Sequence, residues 1–423
     1  MTLRNNGLRI LFLLSLFIFC GFFSLSLKSL IILMTLPIAE VYYSQIVSVQ
    51  PEVVKRVVPV PPDDYRENMT DYDRILYVQR RYPQFNSKKL EQRRLQVINQ
   101  LNSKENHLDR TVIFQDMRET GLGNNLLALA STYIVSRILN ASYQITWNMY
   151  QEAFDSPLVH FNTSLTYSTV DSSFSKWRIR WSGCKPSLKA LESELMDSLV
   201  PTSNLIVTAY YDYSNSLLKS RRYDASLVAA GLVDALSSAE LHDSERLLRT
   251  FYTEFSLMSA VRLFFRPKPS LQREVDRFLA EWSSFHLVGM QIRMGSGGAD
   301  FRDTHTFLKP EAITTFVSLA EEYRAARGFS SASMKWFIST DSSVVERKLK
   351  ALYPEQVIVL DSFRRGHSSL VKSNRNGFFR AVMDISVLSR CEYLILTNHS
   401  SFGMIARMVS DSPVFTVVPA RGY

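Results

Sequence analysis

Cysteine is scarce in this chain, with three residues in 423, at positions 20, 184 and 391. That excludes a disulfide framework and any multi-cysteine zinc site. Cys20 lies in an apolar N-terminal run, so only Cys184 and Cys391 could pair, and the position of Cys391 between an apolar-periodic helix and an apolar strand favours a buried free thiol. No H-E-x-x-H sequence offers a metal centre either. Glycine and proline, at 15 each, are too few for a low-complexity or fibrous chain. Acidic residues are outnumbered, 40 against 49 Lys and Arg, for a net charge of +9. The basic residues are scattered, without zinc-ligand spacing or an aromatic RNA-binding signature, so nucleic acid is set aside as a partner. An anionic small ligand or an acidic membrane surface accounts for the charge.

What is present is a globular composition, 46% hydrophobic and 21% charged, over a length that calls for two folded lobes plus appendages. Ile10 to Leu27 carries no charge, and apolar character resumes after Lys28. Such a run is long enough to span a bilayer and too long for a cleaved signal peptide. Arg4 and Arg9 precede it and Glu40 follows, which predicts a single-pass type II protein with a lumenal body, in Golgi or ER membrane. The expected order is a cytoplasmic tail over 1–9, a membrane anchor over 10–38 and a stem over 39–110. The stem reading rests on a Pro-rich charged stretch and a polar helix-prone one, whose basic run Lys88 to Arg94 reads as a solvated helix face. Sequons at Asn68, Asn140, Asn162 and Asn398 are compatible with lumenal glycosylation.

Beyond the stem, short apolar strands alternate with helical periodicities, the mark of an α/β protein with parallel sheets. Thr111 to Phe114 reads as a strand, followed by Gly121-Leu122-Gly123-Asn124 and a helix whose start offers unpaired N–H groups. A second unit begins at Phe285 to Ile292 and ends in Arg293-Met-Gly-Ser-Gly-Gly, where a guanidinium beside a Gly-rich loop suits phosphate. Lys335 to Ile338 leads into Ser339-Thr340-Asp341-Ser342, in which Asp341 or Ser342 could cap the next helix or meet a nucleoside. Tyr393 to Leu396 leads into Thr397-Asn-His-Ser-Ser-Phe-Gly and a helix over Met404 to Val409, with Ser400 and Ser401 at its start. For a general base the loop carboxylates Asp116, Glu119, Asp300 and Asp303, with His305, are open candidates, and Asp300 and Asp303 follow the Arg293 loop directly. Asp71-Tyr72-Asp73 imitates a metal-binding D-x-D motif but falls in the stem, so no metal ligand set is assigned.

In order along the chain, GLGN, the Ile-Arg at a strand end, FFRPKPSLQREVDRFL, FISTD and TNHSSFG resemble the fucosyltransferase superfamily, and within it the α1,2-linking and xyloglucan fucosyltransferases. The resemblance covers residues from about 110 to 420. It implies a GT-B arrangement, two Rossmann-like lobes over 111–265 and 266–423 facing across a cleft, with the nucleotide sugar held by the second. By the same resemblance Arg293 contacts the β-phosphate of GDP-fucose, Asp341 lies near the nucleoside, Ser400, Ser401 and Phe402 form a phosphate loop, and Gly121, Gly123 and Asn124 close on the donor. Gln291 stands where many relatives carry His, as in plant-type members, and is expected among the donor contacts by the same resemblance. The implied activity is inverting transfer of fucose to a glycan hydroxyl without a metal or other cofactor, with Arg293, Asp300 and Asp303 as the catalytic candidates. Another nucleotide sugar as donor, or a silent carbohydrate-binding protein on the same fold, are the alternatives. Oligomeric state is not legible.

Overall fold

The computed structural model describes residues 87–102, 110–117, 120–158, 174–179, 204–210, 212–214, 223–232, 255–296, 300, 306–363, 375–410 and 415–418. The expected tail and anchor, Asn68, Asn162, Cys184, Glu119, Asp303 and His305 lie outside them. Among the described residues no helix is long and apolar enough to cross a membrane.

Two parallel sheets organise the described residues. The first holds β1 (Thr111–Gln115), β2 (Ser142–Thr146), β3 (Phe174–Ile179) and β4 (Asn204–Ala209) in the order β2-β1-β4-β3. The second holds β5 (His286–Ile292), β6 (Met334–Thr340), β7 (Val357–Ile358), β8 (Tyr393–Thr397) and β9 (Phe415–Val418) in the order β7-β6-β5-β8-β9. Every pairing is parallel. Parallel strands are covered on both faces, which is why β5 and β8 read as nearly continuous apolar runs rather than alternating ones. The strand order reverses between β1 and β4 and again between β5 and β8, so each sheet has a switch point, the place at whose carboxyl edge open α/β sheets bind their ligands.

The helices follow from the same patterning. Helix α1 (Ser87–Asn102) falls in the expected stem, yet it packs on the first sheet's body, with Ile98 in the core and Asn102 Nδ2 donating to Pro157 O at 3.2 Å. Arg94 is fully buried, so the basic run is not simply a solvated face. Helix α2 (Leu122–Ile138) is buried almost all round, as its overlapping apolar rows demand. Short helices α3 (Asn148–Ala153) and α4 (Asp224–Ala229) follow, and then a helical stretch over 255–264. Helix α5 (Pro269–Glu281) opens on a proline, whose missing N–H is no loss in a first turn. Helix α6 (Ala312–Arg327) stops at Gly328, which takes the left-handed conformation at φ 69°. Helices α7 (Ser343–Leu352), α8 (Arg375–Leu388) and α9 (Ser401–Val409) complete the set.

The side-chain period of two splits strand β5 between two cores. Val288, Met290 and Ile292 face Phe316, Trp336 and Ile338 in the second sheet's outer core. Leu287 and its neighbours on the other face join Phe337, Phe378 and Leu394 in a cluster that runs without a break into Phe114, Leu126, Trp147 and Phe264 of the first. The ring of Phe378 on α8 meets Trp147 edge-on at 5.8 Å and Phe154 at 6.5 Å. The two sheets are therefore joined by a shared apolar core. The chain crosses between them through 265–268, where Asp155 N donates to Arg266 O and Lys268 N to Ala153 O, both at 2.8 Å. Cys391 is a buried free thiol beneath β5, its pKa raised by burial.

Candidate functional site

At the carboxyl edge of the second sheet, Arg293 leaves β5 and Asn398 leaves β8, one on each side of the switch point. Thr397 ties the two ends together: its Oγ1 accepts from Arg293 N at 2.9 Å and donates to Gln291 O at 2.8 Å. Gln291, 3% exposed, accepts from Thr397 N with Oε1 at 3.2 Å. That oxygen would lie only 2.7 Å from a Cβ at Gly403, so the first turn of α9 rests directly on Gln291 and any larger residue there would displace its amide. Gln291, expected to touch the donor, instead braces the strand ends and the helix start from below.

The Arg293 side chain, 21% exposed, pairs through Nη1 with Asp341 Oδ2 at 3.2 Å and lies over the Phe307 ring at 5.5 Å. Asp341 also accepts from Met294 N at 2.8 Å and Gly295 N at 2.9 Å, which fixes the loop that carries the arginine. Burial raises its pKa, and the neighbouring Arg293 and the two N–H groups oppose that rise. The carboxylate expected near the nucleoside is thus engaged in holding Arg293. Asp300 also departs from expectation. Its two oxygens accept from Ser343 N at 2.9 and 3.0 Å, and Ser343 Oγ donates to Oδ1 at 2.8 Å, so the group caps α7 beside the Ser342 cap. A carboxylate whose oxygens already accept from a helix N-terminus has little acceptor capacity left for a substrate proton, unlike a free general base.

Helix α9 starts at Ser401, three residues earlier than the periodicity indicated, which places Ser401 and Phe402 in its first turn. Ser400 is the N-cap, its Oγ accepting from Gly403 N at 3.4 Å. The preceding His399 is held at φ 57°, a left-handed conformation that a non-glycine residue adopts at a cost of order 1–3 kcal/mol. On the first sheet, the start of α2 lies at the switch point between β1 and β4. Gly121 is its N-cap and supplies no side-chain oxygen, and Asn124 is half-buried in the first turn. Neither α2 nor α9 has an acidic residue in its first turn.

The two helix starts touch. A Cβ on Gly123 would stand 2.7 Å from Ser401 C, 2.8 Å from Phe402 N and 2.8 Å from Ser401 Oγ, so only a residue without one allows this approach. Two helix N-termini, each equivalent to roughly half a positive charge, meet here beside the Arg293 strand end. Converging positive poles are costly alone and favourable around a polyanion, which makes the arrangement suited to a diphosphate. Among the described residues no group of three or more His, Cys, Asp or Glu is placed to hold a metal ion.

Several contributors were not singled out from sequence. Asn125 shapes the loop ahead of α2, its Oδ1 accepting from Met117 N at 3.2 Å and its Nδ2 donating to Thr120 O at 3.4 Å. Beside Gln291 in the sheet register, Ser339 Oγ donates to Asp384 Oδ2 at 3.0 Å, and Asp384 pairs with Arg380 at 2.7 Å in a buried network under the β6 end. Asp384 and Arg380 stand four apart on α8, a spacing the sequence shows without revealing that both are buried.

Residues 256–422 match the family model described as nodulation protein Z, NodZ. That segment holds β5 to β9 and agrees with the resemblance carried by Arg293 and the Thr397 to Gly403 sequence. Similar solved structures include the fucosyltransferase NodZ from Bradyrhizobium, 17% identical, covering 71% of this chain and 92% of its own, with a TM-score of 0.40. An Arg-to-Lys variant of Arabidopsis thaliana FUT1 in complex with GDP is 12% identical, covers 77% of this chain and 76% of its own, and has a TM-score of 0.48. POFUT1 in complex with GDP is 11% identical, covers 73% and 98%, and has a TM-score of 0.38. No curated protein matches the chain by sequence.

Proposed function

We propose that this chain is a GT-B fucosyltransferase that moves fucose from GDP-fucose to a glycan hydroxyl with inversion. The observation that carries the reading is the convergence of Arg293 with the starts of α2 and α9 on the facing switch points of two parallel sheets. In the transfer, an acceptor oxygen bonds to C1 of the sugar as the bond from C1 to the β-phosphate oxygen breaks. Negative charge grows on the departing diphosphate. Arg293, oriented by Asp341 and Phe307, and the first-turn N–H groups of α9 are fixed in advance where that charge develops. Because these groups meet the diphosphate charge, transfer proceeds in EDTA. With Asp300 engaged at α7, the acceptor proton passes to one of Asp116, Glu119, Asp303 or His305, which stay open as candidates.

The same proposal places the protein in secretory membranes, Golgi or ER, anchored by residues 10–38 with its body in the lumen. Incubation of the protein with a panel of nucleotide sugars, with and without EDTA, tests the activity. GDP-fucose turned over in both conditions is the expected result. Turnover of another nucleotide sugar, or a strict need for a divalent ion, contradicts the reading. Exposure of the C-terminal body to protease in intact microsomes contradicts the orientation.

A further inference from the structure

We infer that Arg262 is a positioning residue for the nucleotide, acting through helix α9 from its far end. The inference rests on the proposed donor site. Arg262 belongs to the helical stretch over 255–264, ahead of the crossing to the second sheet, and is 8% exposed. Its Nε donates to Met408 O at 2.7 Å, and its Nη2 donates to Ser410 O. Those carbonyls belong to the last turn and the C-cap of α9, the groups a helix leaves without internal partners. The guanidinium therefore caps the negative end of α9 while Ser400 caps the positive end.

Helix α9 is consequently gripped at both ends by the first sheet's side of the molecule. At its start the backbone of Ser401 and Phe402 bears on Gly123 of α2, and at its finish Met408 and Ser410 hang from Arg262. A nine-residue helix is about 13 Å long and behaves as a rod on that scale. With one end against backbone and the other held by a planar two-pronged donor, the direction of the rod is set, and so is the aim of its N–H groups at the diphosphate. A lysine keeps the charge at the helix end but cannot reach both carbonyls in a fixed plane. Glutamine keeps one donor and loses the charge.

GDP titration by calorimetry on the parent, Arg262→Lys and Arg262→Gln, each with a thermal melt and with transfer kinetics at saturating GDP-fucose, tests the inference. The expected result is GDP binding weakened about tenfold in Arg262→Gln and less in Arg262→Lys, with kcat falling in the same order, because the α9 N–H groups that hold GDP also meet the charge that grows on it during transfer. Hydrogen exchange at Gly403 and Met404 N–H should quicken in both. A merely structural role lowers the melting temperature while GDP affinity per folded molecule and exchange at the α9 start stay at parent values, and that overturns the inference. Should Arg262→Gln not fold, the lysine variant decides alone by the same two readouts. A parent protein that binds no GDP sinks the donor-site reading itself, which is a separate outcome.

Discussion

Asp300 spends its carboxylate on the first turn of α7, and this decides what its removal does. Asp300→Ala should lower stability by about 0.5–2 kcal/mol, as loss of a helix cap does. Turnover of the folded variant should stay within about threefold of the parent, whereas loss of a general base would cost roughly 10²–10⁴-fold. Thermal melts and kcat on one preparation separate the two. Asp341 is tied to a pH effect. Its raised pKa means that the folded protein takes up this proton more readily than the unfolded chain, so Asp341 adds stability at low pH, which is lost as pH rises through the folded value. Donor binding runs the other way, because protonation removes the charge that holds Arg293. The acid limb of kcat/KM should therefore lie above the ordinary aspartate range, near 3.9, and should disappear in Asp341→Asn without Asp341 itself driving unfolding there. An identical acid limb in the variant would assign it to another group. The place of Arg293 at a strand end and of Ser400 at a helix start was legible because each stands in a short local motif. Gln291 and Arg262 were misjudged or missed because their partners lie 106 and 146 residues away, a separation along which no sequence period runs.

Helix α9 shows how element boundaries depend on tertiary contact. Its apolar periodicity begins at Met404, but the helix begins at Ser401, because the Ser400 cap and the packing of Gly403 on Gln291 extend it by a turn. Strands β1, β5, β6 and β8 were read within two residues of their bounds because parallel strands buried on both faces leave nearly unbroken apolar runs, whereas β3, β4 and β9 were not read. Helix α1 escaped notice as part of the folded body, since its sequence is mostly charged and polar and the burial of Ile98 and Arg94 is decided by neighbours far along the chain. The contact between α2 and α9 carries its own prediction. Gly123→Ala places a methyl under 3.0 Å from backbone atoms of Ser401 and Phe402, and neither can rotate away. One of the two helix starts must shift, so GDP affinity should fall at least tenfold, about 1.4 kcal/mol, with the far-ultraviolet spectrum unchanged. Unaltered affinity would show that the diphosphate does not lie between the two starts.

At the scale of the whole molecule, alternation of strands and helices made the parallel sheets legible, but strand order was not, and neither was the shared core. Two lobes facing across a cleft were expected, and between the two sheets the apolar cluster is continuous from Phe114 to Phe378 and Leu394. This continuity runs through α8, whose Phe378 meets Trp147 and Phe154 on the first sheet's side, with α5 and α9 contributing to the same cluster. The body also distinguishes its sequons. Asn140 is exposed in a left-handed turn between α2 and β2, away from the carboxyl edge, whereas Asn398 is half-buried, its Oδ1 accepting from His399 N at 2.9 Å within the site loop. Peptide mapping of protein made in a secretory host should find a glycan on Asn140 and none on Asn398 in the active fraction. Active enzyme glycosylated at Asn398 would be incompatible with a donor bound at that loop. The central claim, that the β5 end and the two helix starts hold the departing diphosphate, is tested most directly by kcat/KM for GDP-fucose in Arg293→Ala alongside its thermal melt. The account predicts a loss of roughly 10²–10³-fold, the scale of removing one oxyanion donor, in protein that melts within a few degrees of the parent. A variant that melts like the parent and keeps more than about a third of its rate, an effect under about 1 kcal/mol, would contradict it.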